Sequence, residues 1–284
     1  MKRKILLPTD FSKNAWHAIS YAMELYKKDH CDFYILNVFN GNSDMIGSLL
    51  NMEPGSELYE SAKSDAEDGL AKVMDMLVLK DYHNSKHHFE TMARYNSVVE
   101  AIKIIVEEKD INMIVMGTKG KTDSRSNTFG SVATEVMEKV RNCPVIVVPE
   151  LAKRDLPKEI VFPTSYKTHI KHRELDYLID LAQKCNAAIR ILHINSEKKL
   201  NEKQENNKAL LEEYFYPVAH TYHHLSHVEV PIGINCFVES RESDMVAFIN
   251  KKHSFFHSML THPLVKQIAY ISRVPILVMH DLRN

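Results

Sequence analysis

The chain has 284 residues, with 36 Lys and Arg against 37 Asp and Glu, for a formal net charge of -1. At roughly 150 residues per domain this length predicts two domains, and the balanced charge excludes the basic excess typical of a dedicated nucleic-acid binder. No stretch approaches the roughly 20 apolar residues of a membrane-spanning helix, and the first apolar run, residues 5–7, is too short for a signal peptide. We therefore expect a cytoplasmic protein with neither a membrane nor a nucleic-acid partner.

Short apolar segments are the first elements that the pattern predicts. They are rich in Ile, Val and Leu and do not alternate with polar residues, which is typical of strands buried on both faces of a parallel sheet. In the first half these segments are residues 4–7 (KILL), 33–38 (FYILNV), 112–117 (NMIVMG) and 143–148 (CPVIVV).

Helical patterns lie between the apolar segments. Residues 12–28 and 97–109 place apolar side chains at helical spacing, with Ser12 and Ser97 as the expected N-caps. Two further helices are predicted at residues 56–80 and 131–141. Alternating strands and helices predict an α/β doubly wound sheet.

The same set of segments recurs in the second half, in the same order. The repeated strands are residues 159–162 (EIVF), 188–194 (AIRILHI), 244–249 (DMVAFI) and 274–279 (VPILVM), and the charged helical stretch at 197–216 corresponds to residues 56–80. This repetition predicts a tandem duplication, with one doubly wound domain in residues 1–150 and another in residues 151–284.

Glycine is scarce and unevenly placed. The chain has 8 glycines, about 3% of its residues against a typical usage of about 7%. Three of them, Gly117, Gly120 and Gly130, fall within fourteen residues, and only Gly233 lies beyond residue 130. The segment around residues 117–130 is therefore the strongest local signal in the chain.

This segment, GTKGKTDSRSNTFGSV, follows a predicted strand and has the spacing G-x2-G-x9-G-S. Open α/β sheets bind ligands outside the carboxyl ends of their strands. Gly117 and Gly120 would let the backbone approach an anion or adopt positive φ, and Gly130 and Ser131 would open a helix whose N–H groups attract phosphate. Positive charge comes from Lys119, Lys121 and Arg125.

These features favour a polyphosphate site, with a plain strand-to-helix connection as the alternative. The loop contains Gly120-Lys121-Thr122, but it is not a Walker loop, because Val115 stands where G-x4-G-K-[ST] requires the first glycine. It is not a GxGxxG dinucleotide loop either.

The glycine loop, the opening KILLPTDFS and the closing CPVIVVP resemble the universal stress protein family. The resemblance covers essentially the whole chain, as a tandem two-domain member. It implies a Rossmann-like, adenine-nucleotide-binding fold whose halves pack as a pseudo-dimer through their last strands, residues 145–148 and 276–279. It also implies ATP, AMP or ADP as ligand, with Mg²⁺ expected beside ATP, a stress-response role with an unknown regulatory protein partner, and a possible homodimer through sheet-edge pairing.

The resemblance further implies which residues contact the nucleotide. Asp10 would contact ribose or adenine, Val38 would meet adenine through its backbone, and Met116 would pack under the ligand. The other implied contacts are the wall residues Pro8 and Thr9 and the phosphate-binding Gly117, Gly120, Gly130, Ser131 and Val132. Ala133 stands where family members carry a hydroxyl, which places one phosphate contact in doubt. From the residues alone, Asp10 is equally compatible with capping the helix that follows.

The second half lacks the loop. Residues 248–270 contain no glycine, Ile249 stands at the position of Gly117, and Ser165 stands at that of Asp10. Because bulky side chains block backbone approach to phosphate, this half is not expected to bind ATP in the family manner. The basic residues Lys251, Lys252, His253 and His257 leave two alternatives, a site for another anion and a solvated, diverged loop.

A group of histidines raises the question of a metal. His220, His223, His224 and His227 would share one face of a continuous helix and could then hold Zn²⁺. However, the repeat places a strand near residues 227–230, which would interrupt that face. A surface histidine cluster is favoured, and no metal site is predicted.

Three functions fit the sequence. The first is a regulatory protein that binds one nucleotide in its N-terminal half. The second is a slow ATPase or self-phosphorylating enzyme, for which only Asp123 and Ser124 lie in the loop and no catalytic base is evident. The third is a nucleotide-free scaffold.

Overall fold

The strands and helices of the first half follow the predicted alternation. The computed structural model describes residues 2–39, 53–80, 84–118, 130–195, 199–251 and 273–280. The strands of this half are β1 (Arg3–Pro8), β2 (Cys31–Phe39), β3 (His87–Tyr95), β4 (Met113–Gly117) and β5 (Val145–Val148). Its helices are α1 (Lys13–Leu25), α2 (Glu57–Leu79), α3 (Val98–Lys109) and α4 (Ser131–Lys139).

The second half repeats this series of strands and helices. Its strands are β6 (Glu159–Pro163), β7 (Ala188–Ile194), β8 (His220–Leu225), β9 (Met245–Asn250) and β10 (Ile276–His280). One turn of 3-10 helix at His172–Glu174 precedes α5 (Asp176–Cys185), and α6 (Glu202–Phe215) and α7 (Val230–Arg241) follow.

All the described strands join one sheet, in the order β3-β2-β1-β4-β5-β10-β9-β6-β7-β8. Each half therefore has the same strand order counted from its outer edge. Pairing is parallel within each half, and β5 and β10 pair antiparallel between them, with Ile146 opposite Leu277. This confirms the α/β fold and the predicted pairing of the two last strands.

Helices cover both faces of the sheet because its central strands are apolar on both sides. Leu6 and Leu7 are fully buried but belong to two different apolar clusters, one on each face. One cluster packs against α1, α2, α5 and α6, and the other against α3, α4 and α7. Both clusters contain residues of both halves, so the two halves share their cores.

The predicted helix starts agree with the structure, whereas the predicted end of one helix does not. The Ser12 hydroxyl accepts from the backbone N–H of Ala15 at 3.1 Å, which confirms Ser12 as the N-cap of α1. Ser97 stands at the N-cap of α3 without a side-chain hydrogen bond. Helix α4 ends at Lys139, two residues before the predicted end, because Val140 has an extended backbone.

Two strands were missed, and both lie at the outer edges of the sheet. In β3 only Met92 is buried, and no residue of β8 is, so neither strand has the apolar run of a central strand. The strand predicted near residues 227–230 was wrong, since β8 ends at Leu225 and α7 begins at Val230. Among the residues described, no helix is long and apolar enough to cross a membrane.

Candidate nucleotide-binding site

The candidate site lies where the strand order of the first half reverses. The chain runs outward from β1 through β2 to β3, then crosses to β4 on the other side of β1. The carboxyl ends of β1 and β4 flank this switch point, where open α/β sheets bind ligands. Thr9 and Asp10 follow β1, and Gly117 ends β4.

Hydrogen bonds fix the turn that carries Asp10. Thr9 is buried, and its carbonyl accepts from Asn37 Nδ2 at 2.8 Å. The backbone N–H of Phe11 donates to Thr9 Oγ1 at 3.1 Å, and Phe11 adopts the left-handed conformation with a φ of 64°. Asp10 Oδ1 accepts from the N–H of Ser12 at 3.1 Å. Asp10 therefore shapes the turn before α1, while Ser12 caps the helix.

Gly117 has a packing reason to be glycine. A Cβ at this position would lie 2.7 Å from Asn14 Oδ1, which is too close for an ordinary contact. Asn14 has little freedom to move, because its Nδ2 donates to the carbonyl of Val148 at 3.1 Å and its Oδ1 accepts from Thr118 Oγ1 at 3.1 Å. Positive φ is not the reason, since Gly117 lies outside the left-handed region.

The two ends of the glycine loop, Thr118 and Gly130, meet at the edge of the sheet. The N–H of Gly130 donates to the carbonyl of Thr118 at 2.6 Å, which joins the start of α4 to the end of β4. Gly130 is the N-cap of α4 and has no side chain to cap it, so the first N–H groups of the helix lack an intrahelical partner. Ser131 and Val132 are exposed there. These are the features that attract an anion to a helix start.

The other predicted site residues are distributed around this edge. Val38 is half-buried near the end of β2, and Pro8 is buried at the end of β1. Met116 is 6% exposed and packs in the apolar cluster beneath α3 and α4. Gly120 lies outside the described residues, as do Lys119, Lys121, Asp123, Ser124 and Arg125.

Three buried polar residues hold the site together and were not predicted: Asn14, Asn37 and Thr118. Asn37 was visible in the sequence as an amide in the interior of an apolar segment. Buried polar groups need hydrogen-bond partners, so this position was a detectable signal. The contact between Asn14 and Thr118 joins residues that are 104 positions apart, and no local pattern predicts it.

The second half repeats the turn without the carboxylate. Tyr166 has a φ of 56°, and its N–H donates to Thr164 Oγ1 at 3.2 Å, as Phe11 does to Thr9 in the first half. The N–H of Lys167 donates to Ser165 Oγ at 3.4 Å. The backbone is therefore conserved between the halves, while Ser165 places a hydroxyl where Asp10 places a charge.

Lys251 follows β9 near the position where the first half carries its loop. Its Nζ lies 2.8 Å from the carboxylate of Glu174, whose side chain is 2% exposed, and 2.6 Å from the carbonyl of His169. The positive charge is thus already neutralised, which weakens the alternative of a second anion site. Lys252, His253 and His257 lie outside the described residues.

The histidine group does not lie on a helix. His220, His223 and His224 belong to β8, where successive side chains alternate between faces. His227 lies beyond the strand, with a φ of 58°. Within the described parts of the chain, no three His, Cys, Asp or Glu side chains are placed to hold a metal ion.

Comparison with known proteins identifies the family. The model of the universal stress protein family matches residues 1–149. Universal stress protein MJ0531 of Methanocaldococcus jannaschii is 32% identical over 163 residues, which cover 53% of this chain and 84% of the relative. MJ0577 of the same organism, also a universal stress protein, is 27% identical over 171 residues, covering 52% of this chain and 95% of the relative.

The fold match extends over the whole chain. The crystal structure of a universal stress protein from Archaeoglobus fulgidus aligns with a TM-score of 0.72 at 18% identity, covering 97% of each chain. A second solved structure, from Pseudomonas aeruginosa and described as a putative universal stress protein, has a TM-score of 0.63 at 10% identity and covers 98% of this chain and 93% of its own. The chain belongs to the universal stress protein family.

Proposed function

We propose that the protein binds one adenine nucleotide, ATP or its relatives AMP and ADP, within a domain formed by residues 1–150. One observation carries the proposal. The glycine-capped start of α4 meets the end of β4 beside the Asp10 turn, at the switch point of the sheet. The equivalent place in residues 151–284 has Ser165, Ile249 and a neutralised Lys251.

In this proposal each wall of the site has its own task. Asp10 accepts hydrogen bonds from ribose, and the backbone of Val38 meets adenine beside Pro8 and Thr9. The phosphates lie at the start of α4, where Gly130, Ser131 and Val132 supply N–H groups, and Gly120 extends this cradle. Mg²⁺ would accompany ATP and screen its phosphates. Gly117 and Met116 support the floor of the site from the sheet.

The nucleotide would act as a regulatory signal, because α4 touches the second half at its other end. Arg141 donates to the carbonyl of Asn250 at 2.8 Å, and Asn250 Nδ2 donates to the carbonyl of Met137 at 3.2 Å. A shift of α4 on binding would therefore reach β9 directly. A protein partner would sense that change, whereas a homodimer through sheet edges would use β3 or β8, since β5 and β10 already pair within the chain.

Equilibrium dialysis with labelled ATP tests the site. Asp10→Ala should weaken binding at least about tenfold, the effect of losing roughly 1.4 kcal/mol from a charged hydrogen bond. Ser165→Ala, the matched change in the second half, should bind ATP like the wild type. Equal affinity in all three proteins would contradict the proposal. Phosphate release above that of Asp10→Ala would favour the slow ATPase instead.

A further inference from the structure

A cavity of about 400 Å³ lies between α6 and the carboxyl ends of β7 and β8. Its walls include aromatic, histidine and charged side chains, among them Tyr166, His193, Glu205, Lys208, Tyr222 and His224. This volume is within the usual range for small-molecule sites, roughly 300–1,000 Å³. The cavity is distinct from the proposed nucleotide site, which lies in the other half of the chain.

The first half closes the corresponding space by packing. In α2, Gly69 lies so close to Phe11 that an added Cβ would be 2.4 Å from the aromatic ring. Three of the four buried residues of α2 precede buried residues of α6 by the same 138 positions (Ala66 and Gln204, Val73 and Leu211, Leu77 and Phe215), and this offset places Asn207 at the position of Gly69. Asn207 Nδ2 donates to the carbonyl of Tyr166 at 2.7 Å. The Asn207 side chain thus lies between α6 and the sheet, whereas Gly69 at the corresponding position lets α2 pack closer to the sheet.

His193 supplies an unpaired acceptor in the cavity wall. Its side chain is only 5% exposed, and Nδ1 lies 2.9 Å from the carbonyl of Thr164. A carbonyl only accepts, so Nδ1 carries the hydrogen. Burial lowers the pKa of His193, which favours the neutral ring. Nε2 then presents a lone pair, and it is buried without a hydrogen-bond partner in the part of the chain that the structure describes.

Aromatic rings and two lysines also line the cavity. The ring of His193 contacts those of Tyr166 and His224, with centroids 4.8 and 5.7 Å away and interplanar angles of 32° and 25°. Lys208 reaches over the ring of Tyr222 at 5.2 Å, and Lys199 adds a second cation to the wall. A flat ring would stack here, and an acidic substituent would meet the lysines.

We propose that this cavity binds a small planar aromatic molecule that carries a ring N–H and a carboxylate or phosphate group. The N–H donates to His193 Nε2, and the acidic group meets Lys208 and Lys199. A buried nitrogen without a partner is unfavourable, so a ligand that supplies the missing donor recovers that free energy.

Titration of the full chain with indole-3-carboxylate tests this site, because the probe has a ring N–H and a carboxylate. Calorimetry gives the affinity, and ¹⁵N spectra of the histidine rings report on Nε2. Saturable binding should shift the His193 Nε2 resonance upfield, as expected for a nitrogen that gains a hydrogen bond. His193→Asn should weaken binding about tenfold or more. In the first half, Asn37 donates to the carbonyl of Thr9, which shows that an asparagine can keep the hydrogen bond to the turn.

Matched variants separate this site from the rest of the surface. Lys208→Gln should weaken binding about three- to tenfold, the range for one charged contact, while Lys203→Gln on the exposed side of α6 should have no effect. Asp10→Ala should also leave the affinity unchanged. The proposal is overturned by an absence of saturable binding, by an unshifted His193 resonance at saturation, or by equal affinity in the wild type and His193→Asn.

Discussion

At the scale of single residues, Asp10 and Gly117 each have a structural role as well as a proposed role in ligand binding. Asp10 was compatible with capping or ligand binding, and the structure assigns the cap to Ser12 and a turn-forming hydrogen bond to Asp10. Gly117 was predicted to give an anion access to the backbone, and its neighbour Asn14 supplies a packing reason as well. Loop spacing identified Gly117 and the family resemblance identified Asp10, but neither specifies which atoms meet there.

Gly117→Ala should destabilise the protein by about 1–3 kcal/mol, the usual range for overpacking a rigid contact. The added Cβ would collide with Asn14 Oδ1, which hydrogen bonds hold in place. Denaturant unfolding measures the change. In an Asn14→Ala background the same substitution should be less harmful, because the colliding atom is gone. Equal losses in both backgrounds would remove Asn14 as the cause.

At the scale of elements, the sequence was most informative where strands are buried on both faces. The central segments were all located, whereas β3 and β8 were missed because edge strands bury few side chains. The contacts that anchor one element to another were equally invisible, since they join distant positions. Glu159 at the start of β6 is an example, because Arg190 of β7, Arg241 of α7 and nearby Ser243 all donate to it at 2.6–2.9 Å.

This network predicts a pH-dependent stability. Burial alone would raise the pKa of Glu159, but hydrogen bonds from Arg241, Arg190 and Ser243 lower it from 4.5 to about 2. A lowered pKa stabilises the fold above the unfolded value, and that stability is lost as pH falls from about 5 towards 2. Glu159→Gln should therefore lower the free energy of unfolding by about 1–2 kcal/mol at pH 7.

Denaturant unfolding at several pH values checks this prediction. The difference between wild type and Glu159→Gln should shrink steadily below pH 5. Glu213→Gln, a change at an exposed position of α6, serves as the control and should show little difference at any pH. A Glu159→Gln difference that stayed constant down to pH 2 would argue against the network.

At the scale of the whole molecule, the halves behave as one body. The β5–β10 pairing makes the sheet continuous, and each apolar cluster contains residues of both halves. Ion pairs also cross the boundary, joining Arg3 to Asp180 at 2.7 Å and Lys184 to Asp29 at 2.6 Å. The resemblance to the universal stress protein family predicted this pairing of the last strands, whereas the ion pairs follow from side-chain positions that no repeat pattern specifies.

A shared core predicts that both halves unfold together. Differential scanning calorimetry should show one transition, with equal calorimetric and van't Hoff enthalpies. Leu277→Asp, which would bury a charge in the centre of the β5–β10 pairing, should lower the melting temperature of the whole chain. Two separate transitions in the wild type would show that the halves are independent.

The asymmetry of the two halves is the central claim, and the stoichiometry of nucleotide binding tests it most directly. Isothermal titration of the full chain with ATP and Mg²⁺ should give one site per chain, and Asp10→Ala should remove or greatly weaken that site. A stoichiometry of two, or ATP binding that Asp10→Ala leaves unchanged, would contradict the account.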